Sequence, residues 1–199
     1  MITLGLTGSI AMGKSETARM FAARGIPVFD SDAVVHEAYG KGGAAVAHIA
    51  QLAPATVVNG AVDRGRLAKQ VLEDQTLLKK IEAVVHPLVK ARQKAFLADA
   101  EARGCDIAVL DIPLLFETGR EADVDVIAVV SAGAEIQRER ALKRPGMTSE
   151  KLDFILSRQL PDKDKRSRAD YVIDTSVSLE ATDREVGKVI AAIRNMAGH

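Results

Sequence analysis

Residues Gly8 to Ser15 read Gly-Ser-Ile-Ala-Met-Gly-Lys-Ser, a full match to the pattern Gly-x-x-x-x-Gly-Lys-[Ser/Thr]. The short apolar run Ile2 to Thr7 precedes the match and has the length of a buried strand. A helical pattern over about residues 14–24 follows it. A strand, a glycine-rich turn and a helix in this order make an anion nest. Glycines let backbone N–H groups turn inward, and the helix N-terminus adds its partial positive charge. Lys14 then reaches the β- and γ-phosphates of a nucleotide, and the Ser15 hydroxyl ligates Mg2+. The plain structural alternative is a strand-to-helix turn with a capping serine.

A phosphate loop of this kind needs a buried parallel sheet behind it. Hydrophobic residues make up 47% of the 199, whereas aromatics make up 4% and Trp is absent, so the core is built from Ala, Val, Leu and Ile. Lysine and arginine balance aspartate and glutamate at 27 each, which gives no reason to expect a nucleic acid or an anionic membrane as partner. The single Cys105 excludes an intrachain disulfide. No basic leader opens the chain and no run of 18 apolar residues occurs, so a cytoplasmic protein is expected, with a monomer as the working assumption.

Along the chain, Ile26 to Asp32 reads as a second strand carrying two aspartates at its end. Residues 33–86 hold four helical stretches punctuated by glycine, Pro54, Asn59 and Gly60, and read as a helical insert without strands. Pro87 suits the first turn of a helix over 87–102. Strands are expected at 106–113, 123–130 and 170–175, charged helices over 134–168, and a last helix over 179–196. The predicted fold class is α/β: a three-layer α/β/α P-loop NTPase with a parallel sheet, a helical substrate-binding insert and a helical lid. The expected division is a nucleotide-binding core (1–32, 87–133 and 169–199), an insert (33–86) and a lid (134–168).

Three further features bear on chemistry. Ile107-Ala108-Val109-Leu110 ends in Asp111, the form of an acid that holds Mg2+ through water, although any strand can end in aspartate. Asp30 and Asp32 share a face if the chain is extended there. Asp32 is either a group that accepts or orients the proton of an attacking hydroxyl or an N-cap for the next helix. For Asp30 a structural or Mg2+-shell role is expected. Finally, basic residues crowd 134–168, and Arg140 and Arg144, at i and i+4, can point the same way if a helix carries both. Most of these charges are solvated; one or two arginines on an inward face would cover a transferring phosphoryl group.

Several motifs together resemble the dephospho-CoA kinase family, and they span nearly the whole chain in the family's order. They are GLTGSIAMGKS at 5–15, GIPVFDSD at 25–32, VDRGRLAKQV at 62–71, IEAVVHPLV at 81–89, VLDIPLLFE at 109–117, IQRERALKR at 136–144 and RADYVID at 168–174. The resemblance implies transfer of the ATP γ-phosphoryl group to the ribose 3′-hydroxyl of dephospho-CoA with Mg2+, giving coenzyme A and ADP. It implies that Gly8, Ser9, Ile10, Ala11, Met12, Gly13, Lys14 and Ser15 hold ATP with Glu16 beside them. It makes Asp32 the general base and Arg140 a lid arginine near ATP. His86-Pro87 and Pro113 to Glu117, with Leu114 and Leu115, border the acceptor pocket. For His86 the alternative is a helix cap, and for Leu114 to Phe116 ordinary core. Ala11-Met12 and Glu16 depart from the family's usual residues, as does Ser31, and Thr175 stands where Asn is common.

Two rivals differ in kind. Shikimate- and gluconate-type kinases also pair such a loop with an aspartate after the second strand, but the Arg-Gly-Gly-Gly run of shikimate kinases is missing. A regulator that only binds nucleotide would need neither Asp32 nor a lid. The guanine-reading Asn-Lys-x-Asp motif and the transporter signature Leu-Ser-Gly-Gly-Gln are also missing from the chain.

Overall fold

The computed structural model describes residues 1–197. The chain divides into two compact units, residues 1–29 with the chain from Ala100 onward, and Asp30–Asp99.

The first unit is built on five strands: β1 (Ile2–Thr7), β2 (Val28–Asp30, whose last residue opens the other unit), β5 (Ile107–Asp111), β6 (Val126–Ser131) and β7 (Tyr171–Asp174), in the order β2-β5-β1-β6-β7. The β1–β5, β1–β6 and β6–β7 pairings are parallel, with Leu4 opposite both Val109 and Val126. Residues of β5 and β6 are buried on both faces, as continuous apolar runs dictate. Helices α1 (Lys14–Ala23) and α9 (Leu179–Ala197) supply Phe21, Val186, Val189, Ile190 and Ile193 to a core shared with Leu4, Leu6, Val109, Ala128 and Val130. The 186, 189, 190, 193 spacing puts one apolar stripe of α9 on the sheet. Each such side chain contributes about 1.5–3 kcal/mol by leaving water. Helices α6 (Ala134–Leu142), α7 (Ser149–Leu156) and α8 (Asp162–Ser167), the expected lid, belong to this same unit.

The second unit holds α2 (Ser31–Tyr39), α3 (Val46–Leu52), α4 (Arg64–Glu73) and most of α5 (Gln75–Ala102). It departs from the sequence-based expectation in three places. Val57–Val58 (β3) and Ala61–Val62 (β4) pair as an antiparallel hairpin, so the insert has strands. Asn59 and Gly60 at its tip both have positive φ, the geometry that Asn-Gly turns favour. Second, no helix begins at Pro87: α5 runs through it. An internal proline removes a hydrogen bond and costs about 3 kcal/mol. The buried positions Leu77, Ile81, Val85 and Val89 continue at i+4 spacing on both sides, and burying that stripe offsets the loss. Third, β2 stops at Asp30, whose carboxylate accepts the Ala33 N–H at 2.9 Å as the N-cap of α2. Asp32 lies in the first helical turn, where an acid suits the helix dipole. The two aspartates therefore do not share a strand face, and Asp30, not Asp32, is the cap.

Candidate active site

The loop from Gly8 to Gly13 joins the C-terminal end of the central strand β1 to α1. A Cβ on Gly8 would stand 2.4 Å from Val130 Cγ2 and 2.9 Å from the Val130 carbonyl oxygen, so any side chain there would prise β1 from β6. Gly13 has φ +88, and a Cβ would meet Thr175 at 3.1 Å. No side chain caps α1. The N–H groups of Lys14, Ser15 and Glu16 thus have no intrahelical acceptors, which is the donor array an anion requires.

The variable loop residues turn into the protein. Met12 is buried, and its Sδ accepts the Ala132 N–H at 3.2 Å. Ala11 is buried with φ +62, a left-handed conformation that costs a residue with a Cβ about 1–2 kcal/mol. Its methyl group packs with Ala141 and Leu152, flanked by Ile10, Met147 and Leu156. Ser9 is buried, and its carbonyl accepts the Met12 N–H at 3.2 Å. The replacements at 11 and 12 therefore leave the inner surface of the loop to backbone.

Lys14 Nζ forms an ion pair with Asp111, the last residue of β5. The two motif residues expected to act on phosphate and metal are thus in contact. Ser15 is exposed at the start of α1, and Glu16 pairs with Arg19 on the same helix. Arg140 Nη2 donates to the Thr175 carbonyl at 2.8 Å, which fixes that guanidinium at the end of β7. Arg144 is exposed just beyond α6.

Among the acceptor-side residues, Leu114 is 40% exposed, whereas Leu115 is fully buried. Of the two alternatives, ordinary core or pocket wall, this burial favours core for Leu115. Phe116 is buried too, with the Arg168 guanidinium 4.6 Å from its ring centre. Asp32 and His86 are exposed and belong to the Asp30–Asp99 unit. Among the described residues the Asp32 carboxylate makes no hydrogen bond or ion pair.

Sequence reasoning did not foresee the contacts that several residues near the loop make. Thr175 Oγ1 donates to the carbonyl of Met12 at 2.7 Å and lies 3.2 Å from that of Ser131. Gln137 and Gln159 both bond to Ile10. Glu117 accepts the Leu160 N–H at 2.8 Å and sits 2.7 Å from the ammonium of Lys165, a fully buried lysine. Burial alone would push the Glu117 carboxyl up. Lys165 and the amides of Glu117 and Leu160 together outweigh it and hold the carboxyl below its ordinary range. The available signal for Thr175 was its place just past the carboxyl end of a parallel strand, where ligand sites gather.

A parallel sheet whose central strand feeds a Gly-x-x-x-x-Gly-Lys-Ser loop into an uncapped helix defines a P-loop nucleotide-binding protein of the α/β/α class. The model of the dephospho-CoA kinase family matches residues 2–181, and the chain belongs to that family. It is 54% identical over 198 residues to a dephospho-CoA kinase of Mesorhizobium japonicum, covering 100% of both chains. A crystal structure of a Thermus thermophilus protein superposes with a TM-score of 0.85 at 35% identity, over 96% of this chain and 97% of that one. The dephospho-CoA kinase of Campylobacter jejuni, at 21% identity and a TM-score of 0.71 over 96% of each chain, shares the fold.

Proposed function

We propose that this chain transfers the γ-phosphoryl group of ATP to the ribose 3′-hydroxyl of dephospho-CoA, giving coenzyme A and ADP, the last step of coenzyme A synthesis. Membership of the family along residues 2–181, with the phosphate loop intact in shape, is the observation that carries this reading. Lys14 and the amides of Gly13 to Glu16 bind the phosphates. Asp32 orients or deprotonates the attacking hydroxyl. Arg140 and Arg144 cover the transferring group from the lid, residues 134–168. His86 and Leu114 contribute to the acceptor side, with residues 33–86 as the substrate-binding part. Catalysis of this kind is mostly positioning and charge neutralisation.

Among the described residues no three His, Cys, Asp or Glu side chains converge on a metal site. One hydroxyl, Ser15, and one carboxylate, Asp111 through water, suit a hard cation that takes its other ligands from phosphate and water, so the residues fit Mg2+. Bound there, Mg2+ would neutralise charge on the phosphates. Among the described residues no helix is long and apolar enough to cross a membrane, which is compatible with action in the cytoplasm.

The test is ADP release from Mg·ATP with dephospho-CoA, shikimate or gluconate as acceptor, with the product weighed by mass spectrometry. A phosphorylated product from dephospho-CoA alone is expected. Turnover only with shikimate or gluconate would overturn the acceptor assignment. Folded protein that released no extra ADP with any acceptor would be a nucleotide-binding regulator instead.

A further inference from the structure

The charged stretch 134–168 hydrogen-bonds to the phosphate loop through two neutral side chains. Gln137 Nε2 on α6 donates to the Ile10 carbonyl at 2.8 Å. The Ile10 N–H donates to Gln159 Oε1, just past α7, at 3.1 Å. Gln137 is only 6% exposed. Both backbone groups of one mid-loop residue are therefore held from outside the loop. Satisfying both leaves that residue little freedom.

The next residue is Ala11 at φ +62. A non-glycine residue stays left-handed only where its surroundings over-determine it. Here they are the two glutamine bonds on Ile10, the packing of the Ala11 methyl against Ala141 and Leu152, and the Thr175 bond to the Met12 carbonyl. With Ile10 released, Ala11 has a lower-energy conformation at negative φ. Moving there rotates the peptide groups on either side of it, which lead into the donor array at Gly13 and Lys14.

We propose that Gln137 and Gln159 are positioning residues for nucleotide binding: through Ile10 they hold the loop in its phosphate-binding shape. Loop affinity for phosphate then depends on how residues 134–160 dock behind it. This rests on the reading of residues 8–15 as the ATP site.

The test uses the full chain and a fluorescent ATP analogue with Mg2+, in wild type, Gln137→Met and Gln159→Leu. Each variant is expected to bind the analogue about 5- to 30-fold more weakly, the size of one lost part-buried hydrogen bond. KM for ATP should rise in parallel, while KM for dephospho-CoA stays within about twofold. Ala11→Gly placed in the Gln159→Leu background should recover most of the lost affinity, because glycine takes positive φ freely. It should not recover the melting temperature, because it deletes a buried methyl. Variants that melt lower but bind the analogue as wild type does would overturn the proposal and reduce the glutamines to packing.

A second readout needs no variant. In nucleotide-free wild type, the Ile10 amide should exchange with solvent deuterium at least about 100-fold more slowly than a free amide. Exchange at the free rate would overturn the proposal even if Gln159→Leu failed to fold. Wild type that bound no analogue would sink the ATP reading and this proposal with it. Wild-type binding with unaffected variants would sink this proposal alone.

Discussion

Lys14 and Asp111 form an ion pair between the start of α1 and the end of β5, with the carboxylate side chain only 6% exposed. The loop's one cation is thus held by an acid, and under the proposed function the phosphates of ATP would compete for it. Lys14→Ala should lower kcat/KM at least 100-fold, with the far-UV circular dichroism unchanged. Near-normal turnover would remove Lys14 from the mechanism. Asp111→Asn frees the lysine and deletes the acid together. Nucleotide affinity is expected to stay within about threefold while kcat falls at least 30-fold, the pattern of a group that matters in the transition state more than in binding.

The role proposed for Asp32 concerns a different part of the reaction. It is exposed, free of partners among the described residues, and two residues past the end of β2. As a general base or orienting group it is worth about 100- to 10,000-fold in rate. Asp32→Ala should lose activity in that range while binding the nucleotide as before. Because Asp30 caps α2, Asp30→Ala should instead cost about 1 kcal/mol of stability, read by urea unfolding, with a much smaller loss of rate. Equal rate losses in the two variants would show that Asp32 works through helix placement.

How much of this was legible in the sequence depended on the range of the interaction. The loop, the strand before it and the helix after it are written in contiguous residues, and so are the double-faced strands β5 and β6. The Asn59-Gly60 hairpin was legible too, but four helical patterns around it masked a two-residue signal. Pro87 misled because local propensity favours a break, whereas the stripe from Leu77 to Val89 favours continuity and prevails through burial. Gln137 and Gln159 left no local mark, and the place of Thr175 past the end of a strand named no partner. Their partners lie from 127 to 163 residues away, and nothing in a lone glutamine or threonine announces such a bond.

The Glu117–Lys165 pair ties the segment after β5 to α8 in a region with Lys165 fully buried and Glu117 side-chain exposure of 14%. The 2.7 Å approach is between the Lys165 ammonium and Glu117 Oε1, the oxygen that also accepts the Leu160 N–H, whereas Glu117 Oε2 makes no hydrogen bond among the described residues. Removing one member of a buried pair strands the other. Lys165→Met alone should therefore destabilise by about 3–5 kcal/mol, and adding Glu117→Gln should restore part of that loss. The pH dependence has a definite sign. The Glu117 carboxyl is held lower in the folded chain than in the unfolded one, so its contribution is complete above the ordinary value of 4.5 and is lost as the pH falls through the folded value. Between 4.5 and that lower folded value, wild type should lose stability with falling pH more steeply than Glu117→Gln in urea titrations. Parallel slopes would show that the pair does not govern this response.

Thr175 joins three parts of the site by one residue. Its hydroxyl donates to the Met12 carbonyl, its side chain lies beneath Gly13, and its own carbonyl accepts from Arg140. Thr175→Val keeps the shape and removes only the hydroxyl, leaving the buried Met12 carbonyl without that donor. The expected cost is about 1–3 kcal/mol of stability. Part of it should surface as weaker ATP binding, because Met12 adjoins the donor array. Thr175→Ser keeps the hydroxyl and should bind ATP nearly as wild type does, although the lost methyl lowers its stability by about 1 kcal/mol. A Thr175→Val enzyme with unaltered KM for ATP would show that the hydroxyl serves the fold and not the loop.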